Sequence, residues 1–156
     1  MEKQENFETN SEKTDKILKY QEEGYLFHGS PDNNIEVLEP KLAQDLDPDI
    51  SFNNDEAVYA SRDPLACCSF ALPKPSGNWG FDGTNAKFPK KWKEHFEKKQ
   101  NMGTLYVLPP ESFIHTKAWQ SKSKEKVKPI DKISVSLETF FSLGGKIVWK
   151  EDESDS

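Results

Sequence analysis

The chain has 156 residues, a net charge of −6 and only 34% hydrophobic residues, and Arg62 is its one guanidinium. That size suits a single domain, and so acidic a balance excludes broad phosphate-backbone binding, which needs a basic surface. Met1 is followed by charged residues, and no apolar run approaches the roughly 18 residues of a membrane span, so a cytoplasmic chain with no membrane partner is expected.

In chain order, residues 1–16 alternate Glu, Lys, Asn, Thr and Ser around Phe7 alone. A segment of that composition buries too little surface to offset the entropy of ordering, so it is expected to be disordered. The domain is expected over 17–149, opening with a short helix that carries Ile17, Leu18 and Tyr20. Residues 150–156 read as a solvated acidic tail.

The most informative segment is Tyr25-Leu26-Phe27-His28-Gly29-Ser30. Strand-forming residues there deliver a histidine and a glycine to the edge of the turn cluster Pro31-Asp32-Asn33-Asn34. The residues from Ser30 to Glu56 form a long loop interrupted by Pro40 and Pro48. A second strand, Ala57-Val58-Tyr59-Ala60-Ser61, runs into Asp63-Pro64, where Asp63 can cap a helix with Pro64 at its first position. That helix, Pro64 to Leu72, is expected to be buried, Phe70 included. Beyond it Trp79 and Phe81 stand in a proline- and glycine-rich loop, which covers either a pocket or the ordinary core.

Lys87 to Lys99 reads as an amphipathic helix packed through Trp92 and Phe96. Gly103 to Leu108 is the clearest strand, stopped by Pro109-Pro110, with Ser112 to His115 as its continuation. Val127 to Val135 alternates apolar and polar residues as a half-exposed strand. Ser136 caps a short helix that ends at Gly144-Gly145, and Lys146 to Trp149 forms a last strand. Strands with irregularly placed helices give an α+β fold rather than alternating βαβ units. The adjacent Cys67 and Cys68 have the spacing of neither a disulfide nor a metal pair, and His95 and His115 lack ligand spacing, so no metal is expected.

The order Leu26-Phe27-His28-Gly29-Ser30, then Val58-Tyr59-Ala60-Ser61 opening a helix, then Glu125-Lys126-Val127, resembles the His-Tyr-Glu class of ADP-ribosyltransferase-like proteins. The Leu105-Tyr106-Val107-Leu108-Pro109 and Val127-Lys128-Pro129 stretches resemble small bacterial members of that superfamily. The resemblance spans roughly Tyr25 to Val135. It implies a split core of two small antiparallel sheets with short flanking helices, and NAD held between them as substrate. It further implies that His28 bonds a ribose hydroxyl, that the Gly29 backbone holds the carboxamide beside Ser30, and that Tyr59 stacks on the nicotinamide ring. Lys41 and Arg62 are candidates for the pyrophosphate, with solvated surface charge as their alternative fate.

Cleavage of the nicotinamide–ribose bond develops positive charge on the sugar, and a carboxylate placed there favours the transition state. Glu125 is the candidate, with Glu111 in reserve. The expected function is therefore a monomeric NAD-binding protein, either a mono-ADP-ribosyltransferase with an unidentified acceptor or an NAD glycohydrolase. The alternatives are a non-catalytic nucleotide-binding module of the same fold and an RNA 2′-phosphotransferase, the latter poorly served by a single arginine.

Overall fold

The computed structural model describes residues 9–42, 56–75, 77–98, 102–117 and 120–151. Its strands are β1 (Leu26–Ser30), β2 (Lys41–Leu42), β3 (Glu56–Ser61), β4 (Gly80–Phe81), β5 (Asn85–Pro89), β6 (Gly103–Leu108), β7 (Ile114–Lys117), β8 (Gln120–Ser123), β9 (Asp131–Val135) and β10 (Lys146–Lys150). Among the described residues four α-helices join them: α1 (Asn10–Glu22), α2 (Pro64–Ala71), α3 (Lys93–Lys98) and α4 (Leu137–Ser142). The large sheet runs β7-β8-β3-β1-β6-β9, with β2 attached to β3, and the small sheet runs β10-β5-β4. The fold is thus α+β with two sheets. Among the described residues all strand pairings are antiparallel except that of β10 with β5, which is parallel.

Two apolar clusters explain why the large sheet forms. Phe27, Leu105, Val107, Ile133 and Val135 point from it toward Cys67, Cys68 and Ala71 of α2, Ile17 of α1, and Ala86 and Phe88 of β5. Leu26, Val58, Ala60, Tyr106 and Leu108 point the other way and are covered by Leu38 and Val127. Leu38 and Val127 are held together by a pair of backbone hydrogen bonds of 2.8 and 2.9 Å. Every residue of β6 is therefore buried, the pattern of a strand sealed on both faces rather than one.

α2 sits unusually close to this sheet. A Cβ on Gly29 would stand 1.9 Å from the Cys67 carbonyl oxygen, and one on Gly103 would stand 1.9 Å from that of Ala71. Two neighbouring strands thus present glycine under one helix, and the helix backbone rests directly on them.

The helical start differs from the sequence reading. Residues 10–16, expected to be disordered, belong to α1, because Thr9 and Glu12 form a reciprocal capping box and tertiary contacts hold the helix down. Ile17 is fully buried, Tyr20 donates to Asp131 at 2.8 Å, and Lys16 pairs with the same carboxylate at 3.3 Å. Residues 1–8 of that expected segment lie outside the described residues. So do residues 152–156 of the acidic tail, while Glu151 reaches Lys90 at 3.6 Å.

The expected helix from Lys87 to Lys99 is shorter, since residues 85–89 are spent on β5 and a 3-10 turn, Lys90–Trp92, precedes α3. Trp92 and Phe96 are nevertheless buried as expected. Residues 114–117 do not prolong β6. They form β7 at the opposite edge of the sheet, paired with β8. The half-exposed strand is confined to β9, Val127 serving instead in the bridge to Leu38.

Candidate functional site

β1 is bracketed by β3 and β6, and its register fixes where each candidate points. Phe27 stands opposite Ser61 on β3, and His28 stands opposite Tyr106 on β6. Because side chains alternate along a strand, His28 lies on the face of Leu26, Ala60 and Tyr106. Tyr59 falls between Val58 and Ala60, both of that face, so its ring leaves β3 on the opposite side. There it stands across from Lys122 of β8. The two residues do meet, but through the backbone: Nδ1 of His28 lies 2.8 Å from the Tyr59 carbonyl oxygen.

Gly29 and Ser30 complete the end of β1. The side of Gly29 away from His28 is filled by α2, so the glycine is required by packing whatever else it does. Ser30 Oγ accepts the Asp32 N–H at 3.1 Å, and Asp32 Oδ1 accepts that of Asn34 at 2.9 Å. These side-chain-to-backbone bonds make the turn that the sequence signals here. Tyr106 locks it from below, since its phenol donates to the Asp32 carbonyl at 2.5 Å and accepts the Ile35 N–H at 3.1 Å. The rings of His28 and Tyr106 lie 6.5 Å apart between centroids. Tyr106 helps form the site, although the sequence gives it only a strand position and a place in a stretch that resembles the family; its phenol, unusual in a run of aliphatics, is the signal.

Glu125 follows β8 and is exposed. Ser123 Oγ fixes its backbone by accepting the Glu125 N–H at 3.1 Å. Glu125 lies two residues past the end of β8, in the bend that leads to Val127. Glu111 is exposed in the turn after β6, which Phe113 closes on the Pro110 carbonyl at 3.0 Å.

Lys41 is placed by its backbone, opposite Ala57 in β2. Arg62 is exposed at the end of β3, and its carbonyl accepts Gln21 Nε2 at 3.3 Å. The structure therefore brings together His28, the Tyr59 backbone, Ser30 and Tyr106, while the Tyr59 ring leaves the sheet on the other face. Both cysteines are buried, and burial pushes the Cys68 thiol up to about 12.

Phe70, expected in the interior, is 44% exposed. It stands edge-to-face with Trp79 at 5.4 Å, and both line an open cavity of about 430 Å³ with Asp63, Phe81 and Asp82. Among the described residues no helix is long and apolar enough to cross a membrane, and no three His, Cys, Asp or Glu side chains are grouped to hold a metal ion.

Compared with known proteins, the chain matches no protein-family model, no curated protein and no solved structure.

Proposed function

We propose that the chain is a NAD-binding module built on an ADP-ribosyltransferase-like split core, with His28 as the ribose contact. The observation that carries this reading is the 2.8 Å contact from His28 Nδ1 to the Tyr59 carbonyl. A carbonyl only accepts, so Nδ1 carries the proton, and this bond fixes the tautomer and orientation of the ring at the end of β1. The Ser30–Asp32–Asn34 turn and the Tyr106 phenol hold the adjoining backbone in one conformation. A ligand bound there would meet a site organised beforehand, which lowers the cost of binding.

Two observations favour binding without turnover over glycosyl transfer. The Tyr59 ring leaves the opposite face of the sheet, so it does not stack on a ligand held by His28. Glu125 is exposed, so its charge gains little strength from a dry surrounding.

Calorimetric titration with NAD, followed by an assay for released nicotinamide, tests the reading. Saturable binding that His28→Ala weakens at least tenfold, with no nicotinamide released, is expected. Release that Glu125→Gln abolishes would restore the mono-ADP-ribosyltransferase or glycohydrolase reading, and absence of binding would discard NAD altogether.

A further inference from the structure

The open cavity beside the start of α2 is independent of His28. It lies on the α2 side of the large sheet, with Trp79 and Phe81 packed on the cluster of that side. Its walls are the rings of Phe70, Trp79 and Phe81, and its polar groups are the carboxylates of Asp63 and Asp82. Among the described residues no lysine or arginine lines it. A volume of about 430 Å³ falls in the range of small-molecule sites.

We propose that this cavity binds a methylated or quaternary ammonium group. Aromatic faces attract cations through the ring quadrupole, and carboxylates at the same wall add to that attraction. The indole of Trp79 already serves a cation within the fold, with Lys74 Nζ 4.4 Å from its centroid. Phe70 and Trp79 meet at 69°, so their planes form two adjoining walls rather than one flat stack.

The hydrogen-bond partners of the carboxylates select the kind of cation. Asp82 Oδ1 accepts the N–H groups of Thr84 and Asn85 at 3.0 and 2.8 Å. Asp82 Oδ2 accepts Asn85 Nδ2 at 3.1 Å and pairs with Lys87 at 3.7 Å. Asp63 Oδ1 caps α2 by accepting the Leu65 N–H at 3.0 Å. The site thus offers charge and aromatic surface with few open acceptors. A guanidinium or primary ammonium would find few protein acceptors there in exchange for its hydration, whereas a cation whose nitrogen carries methyl groups demands little hydrogen bonding. The backbone hydrogen bond from Asn85, ahead of the other bonds to this carboxylate, holds the Asp82 carboxyl down at about 2, so the charge persists across the physiological range.

The test titrates the full chain with choline, with a trimethyllysine peptide, and with 3,3-dimethylbutan-1-ol, the uncharged isostere of choline. Saturable binding of one or both cations is expected, with the isostere about tenfold weaker or worse. Asp63→Asn, which keeps a cap oxygen and removes the charge, and Phe70→Ala, at an exposed position, should each lower affinity severalfold while the melting temperature changes little. Tighter binding of the peptide would assign the cation to a modified protein, and tighter binding of choline to a free metabolite. Equal binding of the isostere, no saturation by either cation, or affinity unmoved in both variants would overturn the proposal.

Discussion

Gly29 and Cys67 are packed backbone against backbone. A Cβ added to Gly29 would stand 1.9 Å from the Cys67 carbonyl oxygen and 3.1 Å from the Ala71 amide nitrogen. Neither neighbour is a flexible side chain, so Gly29→Ala must push α2 off the sheet or twist β1. Overpacking of that kind costs about 3 kcal/mol, and urea denaturation should show it as a lower midpoint. An unchanged midpoint would mean that α2 rides on the sheet more loosely than its contacts suggest.

The same pair shows where sequence reading succeeds and where it stops. The strand before Gly29 and the helix after Asp63 are legible because alternation, a cap and a proline are local signals. That Gly29 lies under α2 is a relation between residues about 40 positions apart, and the composition of neither segment contains it. The faces of His28 and Tyr59 are illegible for a related reason. Their order along the chain names the two residues, but a one-residue difference in register decides the face, and register is fixed by the partner strand. α1 was missed from Asn10 to Lys16 because its stability comes from Ile17, Tyr20 and Asp131, not from its polar first turns. The pocket was half legible: two aromatic residues in a loop were visible, whereas the outward turn of Phe70 was not.

His28 and Tyr59 should respond differently to truncation. Under the proposed binding mode His28→Ala removes the ribose contact and weakens NAD at least tenfold. Tyr59→Ala leaves the carbonyl that orients the imidazole in place, and affinity should change by less than about threefold. Calorimetry on the two variants separates them. A large loss from Tyr59→Ala would place the ring beside the ligand after all.

Tyr106→Phe isolates the phenol that ties down the turn after β1. The substitution keeps the buried ring and removes the bonds to the Asp32 carbonyl and the Ile35 N–H. A loss of about 1 to 2 kcal/mol in stability is expected, because two backbone groups lose a common partner. Amide exchange at Ile35 should accelerate about tenfold while the amides of β6 are unaffected, since each 1.4 kcal/mol of local opening is about a factor of ten. Unaltered exchange at Ile35 would show that the turn holds itself.

Lys74 gives the fold a pH dependence with a definite sign. Its amine donates to the Leu72 carbonyl at 2.8 Å, and burial lowers its pKa from 10.5 to about 8. Below pH 8 the amine is protonated in both the folded and the unfolded chain, so the cost of burying its charge is present in full. Between about pH 8 and 10.5 the unfolded chain binds more protons than the folded one, and this residue's contribution to stability therefore rises with pH. Lys74→Met removes that dependence. Tyrosines and cysteines also titrate in this window, so the quantity to measure is the difference between the parent chain and the variant. Urea midpoints at pH 7 and pH 10 should show the parent gaining about 1 to 2 kcal/mol on the variant, less than the full shift would give because the amine keeps its hydrogen bond and its place over Trp79. Parallel behaviour of the two proteins across that window would mean that the Lys74 amine is hydrated in the folded chain.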